Sequence, residues 1–157
     1  MKKFFNRIVE DVCFLLVIVL AAVVFFQVFN RFILKASMAW TEELAMFLFQ
    51  WVVFLGAALG VKRMSHFGID LMVEKLSEKN RHRLELVVPL AIGAIAVTLI
   101  TEGTKLLKLT QFQLYTTMPI SHAWATVAMP ISGFLMILYL IQHEIRIWKE
   151  KKGGHRG

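Results

Sequence analysis

Residues 40–76 read WTEELAMFLFQWVVFLGAALGVKRMSHFGIDLMVEKL, and this stretch decides the fold. Between an acidic start and the basic pair Lys62–Arg63 it holds 18 residues without a charge, Leu44 to Val61. A helix needs about 20 mostly apolar residues to cross a bilayer. The stretch therefore predicts a membrane-spanning helix at about 42–62, with Thr41 as the residue that caps its start.

Three further apolar runs have the same character. Of the 157 residues, 57% are hydrophobic and only 18% are charged, a lower charge content than soluble domains have. The pattern predicts an all-α, polytopic membrane protein, a single membrane domain over residues 1–157. The first run is longer than the core of a signal peptide, so we expect it to remain as a helix. The four transmembrane helices are predicted at about 12–30, 42–62, 82–105 and 121–143.

A segment between the second and third predicted helices, about 67–79, is too polar to span a membrane. Its apolar residues recur at helical spacing and mark one face of a helix. They are Ile69, Met72, Val73 and Leu76. The spacing predicts an amphipathic interfacial helix that lies in the membrane surface. A mobile loop is the alternative.

The basic residues are distributed unevenly between the predicted loops. Of the 18 Lys and Arg residues, 14 lie in the N-terminal segment, the segment after the second helix and the C-terminal tail. Basic loops stay in the cytoplasm, so both termini are predicted to be cytoplasmic. The net charge of +7 is spread between apolar runs instead of forming one patch. Membrane lipids are therefore the expected contact, and nucleic acid is not.

No chemistry is evident inside the predicted spans. All 11 acidic and all 18 basic residues lie outside the charge-free windows. Ionisable groups within a bilayer usually mark an ion or proton pathway, so the four helices alone are not expected to carry a solute. We find no pairing of nucleophile and base, no phosphate-binding glycine loop and no metal-ligand spacing. The sequence thus predicts no enzyme, no metal site and no cofactor.

Two other functions remain open at this point. Five histidines in a four-helix frame are compatible with a haem-binding redox membrane anchor, although none of them lies in the middle of a predicted helix. Gly56 and Gly60 let another helix approach closely. That spacing is compatible with a self-sufficient small carrier working as a homodimer.

Four blocks of sequence carry a family resemblance. They are Trp40 with Glu42, Glu43 and Ala45; Trp51 with Phe54-Leu55-Gly56-Ala57-Ala58; His66 with Gly68-Ile69-Asp70-Leu71; and Pro119 with Ala128-Met129-Pro130-Ile131-Ser132-Gly133-Phe134. In these blocks the chain resembles the small membrane subunit, of DctQ/SiaQ type, of tripartite ATP-independent periplasmic (TRAP) transporters.

The resemblance implies a non-catalytic subunit in the bacterial inner membrane. Such a subunit braces a separate large permease, which holds the substrate and sodium sites. A periplasmic substrate-binding protein delivers an organic anion such as a C4-dicarboxylate or a sialic acid. The resemblance thus names two protein partners for this chain.

Two sets of residues are candidates for contact with those partners. The predicted outer rim, which would help dock the binding protein, consists of Trp40, Glu42, Glu43, His122 and Trp124. The candidates for packing against the large permease are Gln50, Gly56, Gly60, Pro130 and Gly133. The rim glutamates have an alternative role as partners of the helix dipole, and the tryptophans as interfacial belt residues. Pro130 and Gly133 also predict a kink in the middle of the fourth helix.

Overall fold

The computed structural model describes residues 2–35, 38–63 and 78–153. Over these residues it contains four long helices and a short one. They are α1 Lys2–Phe32, α2 Ala39–Arg63, α3 Glu78–Thr110, α4 Ala123–Thr126 and α5 Ala128–Gly153. Four segments are long and apolar enough to cross a membrane, namely Asn6–Phe32, Ala39–Arg63, Val87–Thr110 and Ala123–Ile145. The prediction of an all-α protein with four such helices is confirmed.

The packing partners of the helices differ from their order in the chain. The last helix, α5, packs against both α2 and α3, while α1 packs against α2. The start of α1 meets the end of α2 through Glu10 and Lys62, and Lys62 lies beside Tyr139 of α5. The start of α1 and the end of α5 therefore share one end of the molecule, which we call the inner end. Its assignment to the cytoplasm stays a prediction based on the basic residues.

A hydrophobic core joins α2, α3 and α5. Its buried residues are Leu55, Ala58, Val61, Ala96, Leu135, Met136 and Tyr139. Ala58 and Ala96 are fully buried, and their small side chains leave room for the larger leucines and methionine. Helix α1 adds Val9, Cys13 and Leu16 to the edge of this core. Much of the remaining apolar surface is open, as in Phe14 at 69% exposure, which suits a surface that faces lipid.

Helices α3 and α5 approach each other closely at two glycines. A Cβ atom built on Gly133 would lie 2.7 Å from the carbonyl oxygen of Ala96. A Cβ atom on Gly103 would lie 2.8 Å from the Cδ atom of Pro130. Because both distances are shorter than real Cβ contacts, the two backbones can be this close only where the side chain is a hydrogen atom. Pro130 and Gly133, which we considered for packing against another subunit, make these contacts within the chain.

The predicted kink at Pro130 and Gly133 stays a prediction. Val127 separates α4 from α5, but its backbone is still right-handed helical, and the N–H groups of Val127 and Ile131 donate to the carbonyl oxygens of Ala123 and Val127 at 2.9 and 3.3 Å. Pro130 is the third residue of α5. It has no N–H to donate to the carbonyl oxygen four residues earlier, so one helical hydrogen bond is missing at this place.

The prediction that Thr41 caps the start of the second helix is wrong. Helix α2 begins at Ala39, so Thr41 already lies inside its first turn. The Thr41 hydroxyl donates a hydrogen bond to the carbonyl oxygen of Met38 at 2.7 Å and is buried. It therefore satisfies an acceptor that precedes the helix instead of a free N–H. The predicted face of the interfacial helix, Ile69 to Leu76, lies outside the described residues.

The two tight glycines give a testable prediction for stability. We expect Gly133→Leu to lower the free energy of unfolding by about 1–3 kcal/mol, because the new side chain must displace the backbone of α3. Thermal unfolding of the purified protein in detergent measures the effect. The matched control is Gly93→Leu on α3, where a Cβ atom finds no other atom within 4 Å. Equal loss of stability in both variants would contradict the packing described.

Candidate partner-binding surfaces

The end opposite the inner end, which we call the outer end, carries a tight hairpin. It covers residues 111–122, QFQLYTTMPISH, none of which has an acidic or basic side chain apart from the terminal histidine. Its two arms are paired by the backbone. The N–H of Tyr115 donates to the carbonyl oxygen of Ile120 at 3.0 Å, and that of His122 donates to Gln113 at 2.8 Å. We call this segment the outer hairpin.

The tip of the outer hairpin is bound by a carboxylate of α2. One oxygen of Glu43, Oε1, accepts the backbone N–H of Thr116 at 2.8 Å. The other, Oε2, accepts the backbone N–H of Thr117 at 2.9 Å and the hydroxyl of the same threonine. Hydrogen bonds to a charged acceptor are stronger than those between neutral groups. Glu43 thus joins the second helix to a hairpin more than 70 residues later in the chain.

A ring stack supports the base of the outer hairpin. The rings of Tyr115 and His122 are stacked, with centroids 3.8 Å apart and planes 29° from parallel. Burial raises the pKa of the Tyr115 phenol, and the negative charge of Glu43 raises it further. Tyr115 is therefore a neutral, buried ring at physiological pH. His122, which we predicted as a residue of the docking rim, stacks on this ring within the chain.

The remaining rim candidates are open to the surroundings. Trp124 is 63% exposed, although its backbone carbonyl oxygen accepts a hydrogen bond from the indole N–H of Trp51 at 3.1 Å. Trp40 is 42% exposed and packs at an angle on Phe26. Glu42 is exposed in the first turn of α2. Of the five predicted rim residues, Glu43 and His122 therefore hold the outer hairpin, whereas Trp40, Glu42 and Trp124 are exposed.

The candidates on α2 for packing against another membrane chain lie on an open part of that helix. Gln50 and Gly60 are exposed, and Gly56 is half-buried. A Cβ atom built on either glycine would meet no other atom within 4 Å. Among the residues that the structure describes, this glycine pair therefore makes no close helix contact.

A lysine of α2 contacts both α1 and α5 at the inner end. The ammonium group of Lys62 lies 2.9 Å from the Glu10 carboxylate and 6.0 Å from the centre of the Tyr139 ring. The Lys62 side chain is only 15% exposed, so water screens the pair less than it screens an ordinary surface pair. Sequence reasoning did not find this contact, because the two partners are 52 positions apart. The pair adds a polar contact to the packing of α1 against α2.

His122 and His143, the two histidines whose side chains the structure describes, do not form a pair that could bind one haem iron. His122 lies at the outer end, and His143 lies one turn beyond Tyr139 toward the inner end. Their 21 positions correspond to roughly 30 Å along a helix. Within the described ranges, no group of three His, Cys, Asp or Glu residues is placed to hold a metal ion.

Comparison with known proteins supplies the family. Residues 20–150 match the family described as "Tripartite ATP-independent periplasmic transporters, DctQ component". The chain belongs to the DctQ family. The sialic acid TRAP transporter small permease protein SiaQ of Vibrio cholerae is 31% identical over 153 residues, which cover 95% of this chain and 86% of that protein. The resemblance found in the sequence is thereby confirmed.

Other relatives differ in length and in the substrate given in their names. The sialic acid TRAP transporter permease protein SiaT of Haemophilus influenzae is 27% identical over 96% of this chain, which spans only 24% of SiaT. The C4-dicarboxylate small permease protein DctQ of Vibrio cholerae is 30% identical over 76 residues, or 48% of this chain and 33% of that protein. Together with the four spanning segments, these matches identify this DctQ-family chain as a multi-pass TRAP transporter small permease, and the relatives are named as transporter permease proteins.

The carboxylate contact of Glu43 gives a prediction for local dynamics. In Glu43→Ala the backbone N–H groups of Thr116 and Thr117 lose their acceptor, and we expect their hydrogen exchange to accelerate by about tenfold. Hydrogen exchange with mass spectrometry on peptides from the outer hairpin measures this change. Glu42→Ala removes the same charge one position away and serves as the control. Unchanged exchange in Glu43→Ala would show that the carboxylate does not hold the hairpin.

The inner ion pair gives a prediction for stability. Glu10→Gln is expected to lower the free energy of unfolding by about 1 kcal/mol, because the largely buried Lys62 loses its charged partner on α1. Glu102→Gln disrupts the ion pair between Glu102 and Lys105. These side chains are 57% and 70% exposed, so this change should lower the free energy of unfolding much less. Denaturation in detergent at low salt compares the two variants. Equal effects would mean that partial burial does not strengthen the inner pair.

Proposed function

We propose that this chain is the small permease subunit of a sodium-driven, binding-protein-dependent TRAP transporter for an organic anion. In this role it braces a large permease and carries no solute itself. The observation that supports the proposal most strongly is the family match over residues 20–150. The large permease would hold the substrate and sodium sites.

The chemistry of the spans supports a bracing role. The Asp and Glu residues of the described spans, such as Glu10, Glu43 and Glu102, lie outside the charge-free windows, and those windows contain no Asp, Glu, Lys, Arg or His. Charged residues near the membrane midplane usually mark the path of an ion or a charged solute. A four-helix unit without them is suited to supporting a moving neighbour.

The relatives support a large permease as the partner. In SiaT the region similar to this chain is only about a quarter of a longer permease protein. A related region also makes up 17% of the isethionate permease protein DctMQ of Oleidesulfovibrio alaskensis, which is 26% identical over 109 residues. Because such regions occur within longer permeases, we propose that this chain packs against the corresponding large permease part.

The names of the relatives support a small organic anion as substrate. SiaQ is named for sialic acid and DctQ for C4-dicarboxylates, and both substrates carry carboxylates. The match to SiaQ covers 153 residues and the match to DctQ of Vibrio cholerae covers 76, and this favours a sialic acid or a related carboxylate over a dicarboxylate.

The outer rim is proposed to help dock the binding protein. Its open members, Trp40, Glu42 and Trp124, lie at the same end as the outer hairpin. The hairpin needs no ligand to be held, because Glu43 already binds its tip. A preformed surface loses little conformational freedom when a partner docks.

Reconstitution tests the proposed function. Proteoliposomes should contain this chain, the large permease from the same source, or both, with the binding protein and labelled substrate outside. We expect uptake under an inward sodium gradient only when both membrane components are present, and its loss when a sodium ionophore collapses the gradient. Robust uptake by this chain alone, or uptake independent of sodium, would overturn the proposal.

A charge reversal at the rim tests the docking role separately. Glu42→Lys is expected to raise the concentration of binding protein that gives half-maximal uptake by about fivefold at low salt, with a smaller effect at high salt. The control is Glu144→Lys, the same change on an exposed carboxylate near the inner end. If the two variants behave alike, the rim does not guide docking.

A further inference from the structure

The middle of α2 presents an unpaired amide to the membrane. Gln50 lies 11 residues after Ala39 and 13 residues before Arg63, so it stands halfway along a helix that is long enough to cross the bilayer. Its side chain is exposed, and it makes no hydrogen bond with any part of the chain that the structure describes. A primary amide has two donor hydrogens and an acceptor oxygen, and the hydrocarbon interior satisfies none of them.

Gln50 belongs to a continuous exposed stripe along α2. The stripe, which we call the open face of α2, consists of Met46, Phe49, Gln50, Val53, Ala57 and Gly60. Five of these positions, 46, 50, 53, 57 and 60, follow one another at alternating spacings of four and three residues, which keeps them on one side of a helix, and Phe49 lies beside them. From Met46 to Gly60 the face is about 21 Å long, which is most of the roughly 30 Å hydrocarbon thickness.

Within the part of the chain that the structure describes, the neighbours of α2 leave this face free. Leu48, Leu55 and Leu59 are buried, and at 100° per residue they point roughly 150° away from the centre of the open face. The inner half of the face is nearly flat, because Ala57 has only a methyl group and Gly60 has none. A Cβ atom at Gly60 would meet no other atom within 4 Å. The surface is therefore shaped for close approach by a second helix backbone.

We infer that the open face of α2 is the surface on which a transmembrane helix of the large permease packs. Gln50 would hydrogen-bond to a polar side chain or a free carbonyl group of that helix, while Ala57 and Gly60 let the two backbones come close. This inference rests on the proposed function, which supplies the partner, and it adds which face of the four-helix unit that partner occupies.

Two other occupants of the open face fit less well. Lipid chains cannot satisfy the amide of Gln50, whereas a protein helix can offer a donor or an acceptor at the same depth. A second copy of this chain would also present an amide. The occurrence of similar regions inside longer permeases, such as SiaT, favours a permease helix over a second copy.

Co-purification with the large permease tests this inference. The large permease is expressed with a tagged form of this chain, and the complex is isolated in mild detergent. We expect Gly60→Leu and Gln50→Leu each to reduce the amount of co-purified permease by about fivefold, with unchanged membrane insertion. Gly93→Leu is the matched control, because Gly93 also has open space around its Cβ position but lies on α3.

The outcomes separate this inference from the function on which it rests. If wild type and all three variants retain the permease equally, or if Gly93→Leu loses as much permease as Gly60→Leu, the open face is not the contact and the proposed function still stands. If the wild-type chain retains no permease and reconstituted uptake does not need it, both are overturned.

Photocrosslinking identifies the occupant directly. A photoreactive amino acid is placed at Gln50 or Ala57 in the open face, and at Ile95 of α3 as the control. Adducts with the large permease from the two α2 positions, and far fewer from Ile95, are the expected result. Adducts between two copies of this chain, or adducts with lipid only, would overturn the inference.

Discussion

The hydrogen bonding of the backbone to itself is the constraint on which this molecule depends. In hydrocarbon a free N–H or C=O group has no water to bind, so a spanning segment has to be helical. Each long helix meets this requirement alone, and side chains are then left to decide how the helices associate. At Gly103 and Gly133 the helices α3 and α5 come so close that only a hydrogen atom fits as a side chain. That contact, together with the leucine and tyrosine packing around Ala58, sets the arrangement.

Polar contacts complete the arrangement at the two ends, where water is available. At the inner end Glu10 and Lys62 fix α1, a helix whose spanning window has no buried residue, to α2. At the outer end Glu43 fixes the hairpin between α3 and α4 to the start of α2. These two contacts hold segments that contribute little to the hydrophobic core. The middle of the molecule is held mainly by apolar packing, and its two ends by charge and hydrogen bonds.

Residues of the same type differ in whether they make contacts within the described part of the chain. Glu42 and Glu43 are neighbours in sequence, yet one is open and the other binds two backbone N–H groups. The glycines divide in the same way, since Gly133 is used within the chain and Gly60 is not. For a small permease of the DctQ family, the unused members are the ones available to partners. Together they describe a subunit that is internally braced and still has one helix face and one rim open.

The sequence by itself determined the four spanning helices, the family and the absence of charged residues from the middle of the spans. Hydropathy and charge are properties of the local sequence, so an uncharged apolar run such as Leu44 to Val61 reveals a spanning helix directly. The resemblance blocks around Trp40 and Trp51 were specific enough to indicate a TRAP small subunit. Only the tertiary structure decided which candidate residues are used inside the chain. Glu43 could not be separated from Glu42, nor Gly133 from Gly60, because the difference lies in partners such as Thr116 and Ala96, which are distant in sequence and come close only when the helices pack.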